Sequence, residues 1–308
     1  MRVFSTFELT PEQAARLKLA LGHDVLLLSA DRLDTTDARA QFDSCEVVFG
    51  NPPAVWVETS PALRWVQLES VGFGDYLALD RQQHAERPII TNLAGFFAEP
   101  VAESILAGIL SLTRGIARLT VHRNLRHWEG DALRPKLKTL LGAEILLYGY
   151  GSINRRVAEL LAPFGGRLTA ITRDEDALEA ALRSADVVIA TVPDTPKTRN
   201  VFDRRRFGSL KPGAIFVNFG RGSLVDEDAL ADELESERLG GAVIDVTHEE
   251  PLPADHRFWR CPNMVLTQHT GGGTHDEIDR KITRFIENLE RYRREAPLIG
   301  VVDLSRGY

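Results

Sequence analysis

Cysteine is scarce. Cys45 and Cys261 are the only two in 308 residues, far apart and matching no metal-binding or redox spacing. That excludes a disulfide-stapled scaffold and suits a reducing compartment, with both thiols acting as inert packing residues. Long apolar runs are also missing: nothing approaches the roughly 20 residues needed to span a bilayer. The N-terminus, MRVFSTFELTPEQ, lacks the basic segment and apolar run of a secretory signal, so a cytoplasmic location with no membrane partner is expected. Positive charge does not predominate. Against 44 aspartates and glutamates stand 37 lysines and arginines, a net charge of −7, which argues against nucleic acid as a partner while leaving room for a small basic pocket. His248 and Glu249 beside Glu250 invite a metal reading, but no histidine pair at helical spacing or cysteine cluster supports one, so no metal is expected. Internal repeats and low-complexity tracts are absent.

What remains has the composition of an ordinary globular protein, 44% hydrophobic and 26% charged, so neither disorder nor a membrane protein is favoured. A chain of 308 residues is long enough for about two domains. Before residue 93, apolar runs at 25–28, 46–49, 64–68 and 88–91 alternate with helix-like segments such as PEQAARLKLAL, implying a parallel sheet with covering helices. From Glu99 to Arg123 runs one long helical pattern, apolar on more than one face, that reads as a connector buried between domains or subunits. Six further runs follow, at 144–148, 167–172, 186–192, 214–218, 241–245 and 264–267, as a doubly wound sheet requires. An amphipathic helix from His275 to Arg294 then leads to a short strand, IGVVD, too small to be a domain and expected to rejoin the first half. The fold class is therefore α/β, with two doubly wound parallel-sheet domains and an interdomain cleft holding the active site. A discontinuous flavodoxin-like substrate domain (1–93 plus 276–308) surrounds a Rossmann cofactor domain (94–275).

The run EILLY ends in a glycine-rich turn, Gly149-Tyr-Gly151-Ser-Ile-Asn154, ahead of the helical INRRVAELLAPF. In a dinucleotide-binding turn the first glycine makes the sharp bend, the second lets the backbone approach the pyrophosphate, and the third allows close helix packing. Gly149 and Gly151 fill the first two roles, and Ser152 and Ile153 open the helix whose N-terminal N–H groups hold the pyrophosphate. Asn154 replaces the third glycine, predicting a helix pushed slightly outward and weaker cofactor affinity. The next strand ends at Thr172-Arg173-Asp174, where an NAD enzyme places an acid on the ribose hydroxyls. Arg173 instead pairs with a 2′-phosphate, so NADP is the favoured cofactor; NAD is the alternative if Asp174 turns in to the ribose. Arg155 and Arg156 read as solvent-exposed charges.

Three ionisable residues each follow an apolar run: Arg221 after AIFVN, Glu250 after AVIDV, His269 after MVLT. Ligands of such folds bind outside the carboxyl ends of the strands, so the three are placed to act together. Hydride delivery to C2 of a 2-keto acid puts negative charge on the carbonyl oxygen, which a proton donor and a nearby cation stabilise. His269 donates, Arg221 stabilises with a planar fork that matches a carboxylate, and the Glu250 carboxylate favours the imidazolium.

The runs NFGRGSLVDEDAL (218–230), DVTHEEPLP (245–253) and LTQHTGG (266–272) resemble the D-isomer-specific 2-hydroxyacid dehydrogenase family. Supporting matches are TNLAGFFAEPVAE (91–103), VPDTPKTRNVF (192–202), VVDLSRGY (301–308) and, more loosely, WVQLESVGFGD (65–75). The resemblance implies that Arg221 binds the substrate carboxylate and carbonyl, that His269 is the acid/base and that Glu250 is its partner. It brings Pro193 and Thr198 to the cofactor, and Asp245 to the nicotinamide carboxamide unless that aspartate merely closes its strand. The loop Ser70-Val71-Gly72-Phe73-Gly74 offers the N–H groups of Val71 and Gly72 to the substrate carboxylate, with Phe73 limiting side-chain size, unless it is an ordinary turn. Three departures stand out: Asn154 for glycine, Gln268 where the family has proline, and Asp194 where an apolar residue is common. The expected activity is NADPH-dependent reduction of a small 2-keto acid, glyoxylate or hydroxypyruvate, by a homodimer. D-lactate and phosphoglycerate dehydrogenase chemistry, and a dinucleotide-sensing binding protein on the same fold, are the alternatives.

Overall fold

A computed structural model describes residues 1–28, 36–79 and 88–304. In chain order the first elements are β1 (Arg2–Ser5), α1 (Pro11–Leu21), β2 (Val25–Leu28), α2 (Thr36–Asp43), β3 (Val47–Phe49), α3 (Ala54–Thr59), β4 (Trp65–Gln67) and β5 (Ile89–Thr91). Next come α4 (Ala98–Thr113), α5 (Ile116–Asn124), β6 (Glu144–Tyr148), α6 (Ser152–Leu161), β7 (Arg167–Ile171), α7 (Glu175–Leu182) and β8 (Val187–Ala190). They continue through α8 (Arg204–Ser209), β9 (Ile215–Asn218), α9 (Glu227–Glu235), β10 (Gly241–Ile244) and β11 (Met264–Leu266) to α10 (Glu277–Arg293). The chain divides into two compact units, one from residues 1–94 with the segment from 274 onward, the other from 95–273. Both are parallel α/β units, as the alternation of apolar runs predicts. Among the described residues no single helix is long and apolar enough to cross a membrane.

In the first unit the strand order is β2-β1-β3-β4-β5. Alternate residues of the parallel strands feed two cores: Phe4, Val48 and Val66 on one face, Val3, Val47, Phe49 and Trp65 on the other. The second face is covered by α1 and by α10, whose Phe285 stacks on Phe49 (4.5 Å) and Trp65 (5.4 Å between ring centres). Buried residues of α10 recur at 281, 282, 285, 288 and 289, the spacing of a helix with one inward stripe. The expected terminal strand over IGVVD is a single antiparallel bridge, Thr91 to Val301. Buried polar groups hold this segment instead. Asn288 donates to Gln67 Oε1 (2.8 Å) and to the Ile299 carbonyl (2.9 Å), and its Oδ1 accepts from Ile299 N–H (2.8 Å). The last four residues of VVDLSRGY lie outside the described residues.

The second unit has the order β11-β10-β9-β8-β6-β7. Its interior strands β6, β8, β9 and β10 are almost entirely buried, which is why they read as continuous apolar runs. The strand order reverses between β6 and β8, the point at which doubly wound sheets open a binding crevice. The long helix expected over 99–123 is broken. Gly115, at φ 69°, takes a left-handed conformation and turns α5 away from α4 by 68°. α4 is part of this unit's core, where Gly108 brings it so close to the sheet that a Cβ would lie 2.5 Å from Val243. α5 buries no residue.

Candidate active site

The Gly149–Asn154 turn follows β6 and leads directly into α6. Gly149 has φ 87°, and a Cβ there would lie 2.6 Å from Val192, so glycine is required for both conformation and space. Its N–H donates to the carbonyl of Ile171 at the end of β7 (2.8 Å). Gly151 caps α6, and a Cβ on it would meet nothing within 4 Å, which leaves open ground in front of the helix N-terminus. Ser152 is exposed and Ile153 half-buried in the first turn. A pyrophosphate fits this arrangement: bare backbone, unobstructed space and the N–H groups of a ten-residue helix. Asn154 is wholly buried and its amide donates inward to the Gly149 carbonyl (2.7 Å). The side chain that was expected to displace the helix is thus accommodated beneath the turn.

Thr172 and Arg173 are exposed at the end of β7. Asp174 caps α7, its carboxylate accepting from Ala177 N–H (2.9 Å). Pro193 and Thr198 belong to the loop after β8. Thr198 Oγ1 donates to the Pro193 carbonyl (2.7 Å) and accepts from Thr195 N–H (2.8 Å), closing the loop on itself. Asp194 pairs with Arg199 across the same loop (2.9 Å), and that guanidinium holds its carboxyl below the ordinary range.

The three ionisable residues converge within the second unit. His269 Nδ1 lies 2.7 Å from Glu250 Oε2, and Glu250 Oε1 accepts from Thr247 N–H (3.0 Å). Burial pushes the Glu250 carboxyl up, but the hydrogen bonds from His269 and Thr247 and the charges of His269 and Arg221 together bring it below its ordinary value. Arg221 is exposed and anchored by one donor to the carbonyl of Gly220 (2.7 Å). With Nδ1 engaged by the carboxylate, the Nε2 atom of His269 lies on the other side of the ring.

Residues not recognised from the sequence hold these side chains in place. A Cβ on Gly222 would come within 2.1 Å of the Thr247 backbone, so the Arg221 segment and the Glu250 loop touch main chain to main chain. Glu227 fixes the same loop from α9 by accepting from His248 N–H (2.8 Å). Asp245 Oδ1 accepts from Thr267 Oγ1 (2.6 Å) and from Gly271 N–H (3.0 Å), and its carbonyl accepts from His269 N–H (2.6 Å). These three bonds fix the aspartate at the end of its strand. Gln268 and His269 both adopt left-handed conformations, φ 53° and 56°. Proline is fixed near −65°, so this backbone excludes the residue the family pattern has at position 268. Replacing Gly222 by alanine is expected to cost about 1–3 kcal/mol of stability and to part Arg221 from Glu250. Urea unfolding with parallel kcat/KM measurements checks this, and an alanine variant as stable and active as the parent contradicts it.

Val71 and Gly72 belong to the first unit, in the loop after β4. Asn92 donates to the Val71 carbonyl (2.7 Å) and Ser70 Oγ to that of Gly72 (2.7 Å). Phe73 is buried in that unit's core. Asn92 was not singled out from the sequence, since nothing local marks which carbonyl its amide will reach.

Residues 106–271 match the family model of the D-isomer specific 2-hydroxyacid dehydrogenase, NAD binding domain. Over 252 residues the chain is 31% identical to a hydroxypyruvate reductase of Thermotoga maritima, covering 78% of this chain and 79% of that protein. Over 244 residues it is 32% identical to an (S)-sulfolactate dehydrogenase of Chromohalobacter salexigens, covering 75% and 78%. Among solved structures, a D-isomer specific 2-hydroxyacid dehydrogenase family protein from Aeromonas salmonicida superposes with a TM-score of 0.83 at 26% identity, over 98% of this chain and 99% of that one.

Proposed function

The chain belongs to the D-isomer-specific 2-hydroxyacid dehydrogenase family, and we propose that it reduces a small 2-keto acid, hydroxypyruvate or glyoxylate, with NADPH. The observation that carries this reading is the 2.7 Å contact of His269 Nδ1 with Glu250, made where the charge of Arg221 also acts on that carboxylate. Arg221 engages the substrate carboxylate and carbonyl through its fork. When bound, the reduced nicotinamide supplies the hydride to C2. His269 Nε2 gives its proton to the carbonyl oxygen, and Glu250 stabilises the imidazolium before that transfer. In the oxidative direction the same nitrogen accepts the hydroxyl proton.

NADP is favoured over NAD because the Asp174 carboxylate is engaged in capping α7, leaving Arg173 as the side chain suited to the 2′-phosphate. Gly149, Gly151, Ser152 and Ile153 take the pyrophosphate, Thr172 and Arg173 the adenosine ribose, and Pro193, Thr198 and Asp245 the remainder. The test is turnover of hydroxypyruvate and glyoxylate with each dinucleotide. NADPH is expected to win in kcat/KM by about tenfold, a difference near 1.4 kcal/mol, and Arg173→Ala to erase that margin. Better turnover with NADH contradicts the cofactor assignment, and binding without turnover makes the protein a sensor.

A homodimer is supported by the apolar side chains left exposed along and after α5: Ile116, Val121, Leu125 and Trp128, at 54%, 57%, 69% and 91%. Analytical ultracentrifugation is expected to show a dimer that Leu125→Glu with Trp128→Glu splits into monomers. A monomeric parent protein contradicts it.

A further inference from the structure

We infer that Asn154 is a positioning residue for the dinucleotide turn, orienting its peptide groups in a way that glycine at the same position does not. The inference rests on the reading of this turn as the dinucleotide site, and three observations carry it. Asn154 is fully buried, in the first turn of α6. Its amide nitrogen faces three main-chain carbonyls at once: Gly149 (2.7 Å), Tyr148 (3.3 Å) and Ile189 (3.4 Å). These carbonyls lie at the carboxyl ends of β6 and β8, the two strands between which the sheet order reverses.

An NH2 group has two protons, so three carbonyls around one nitrogen identify that end of the amide as the donor. Its Oδ1 meets no donor among the described residues, so it is the donor end that the fold uses. The geometry then reaches the ligand side of the turn. In a trans peptide the C=O and the following N–H point in opposite directions. Holding the Gly149 carbonyl inward toward Asn154 turns the Tyr150 N–H outward, and holding the Tyr148 carbonyl on the same side leaves the Gly149 N–H directed at Ile171. A residue that departs from the glycine pattern, and from its role of close packing, thus braces both peptides of the bend. Glycine at 154 removes the brace and frees the Gly149–Tyr150 peptide to rotate, since glycine at 149 imposes no side-chain restraint of its own.

Restoring the family pattern with Asn154→Gly is therefore expected to weaken dinucleotide binding, where the pattern alone predicts tighter binding. The measurement is NADPH and NADH affinity by calorimetry on the full chain, together with the thermal midpoint of the ligand-free protein. For Asn154→Gly the Kd is expected to rise about tenfold, the scale of a lost hydrogen bond, and the midpoint to fall, with kcat at saturating dinucleotide nearly unchanged. Asn154→Asp, which sets a carboxylate against the same carbonyls, is expected to bind more weakly still. If the glycine variant does not fold, Asn154→Ala carries the same expectation. A lower midpoint with unaltered Kd makes Asn154 a purely structural residue and overturns the inference, as does a glycine variant that binds as well as the parent or better. A parent protein that binds neither dinucleotide overturns this inference and the proposed function together.

Discussion

Replacing His269 by alanine is expected to lower kcat for keto-acid reduction by about 10²- to 10⁴-fold, the range in which a positioned general acid contributes, with dinucleotide affinity nearly unchanged. The imidazole is bound by one nitrogen to Glu250 at 2.7 Å and its ring is half-exposed, so its removal deletes a proton donor without opening a core. Retained turnover removes His269 from the mechanism. Glu250→Gln adds a pH signature. The Glu250 carboxyl titrates below its ordinary value of 4.5, so its contribution to stability is fully present above that pH and is lost as the pH falls through the depressed folded value. The glutamine variant is expected to lose that acid-range slope, and an unchanged profile of unfolding free energy against pH contradicts it.

Arg221→Lys is expected to cost about 10²- to 10³-fold in kcat/KM, the scale of one lost electrostatic donor at a developing oxyanion. Charge is conserved in that substitution, so the loss isolates geometry. One donor of the guanidinium is already spent on the Gly220 carbonyl, which fixes the plane of the fork. An ammonium on a flexible stem offers neither that anchor nor a planar pair of donors. Because Arg221 begins the segment whose Gly222 abuts Thr247, a lysine there leaves the backbone contact intact and the fold unaffected. Lysine activity equal to that of the parent shows that a point charge suffices and refutes the fork argument.

Legibility in the sequence followed burial. Strands β6, β8, β9 and β10 read plainly because both faces are covered and all positions but Glu144 and Asn218 are apolar or glycine. β1 escaped notice because only four residues, opening on an arginine and closing on a serine, carry it; pairing with β2 and β3 makes it a strand. The helix break at Gly115 and the reduction of IGVVD to one bridge depend on tertiary context that local periodicity does not report. At the site, placement after successive strands was enough to bring out Arg221, Glu250 and His269. Gly222, Glu227 and Asn92 were invisible because each acts on backbone distant in sequence: Thr247, His248 and Val71. Asn154 and Gln268 were visible only as departures. The first is a hydrogen-bond donor beneath a turn, and the second lies in a left-handed backbone that proline cannot adopt.

The most direct test is a structure of the protein with NADP and oxamate, an unreactive keto-acid analogue. His269 Nε2 and the Arg221 guanidinium are expected within about 2.6–3.2 Å of the analogue's carbonyl oxygen, with Glu250 still on Nδ1. An analogue bound with neither side chain on that oxygen, or an imidazole turned away from Glu250, contradicts the account.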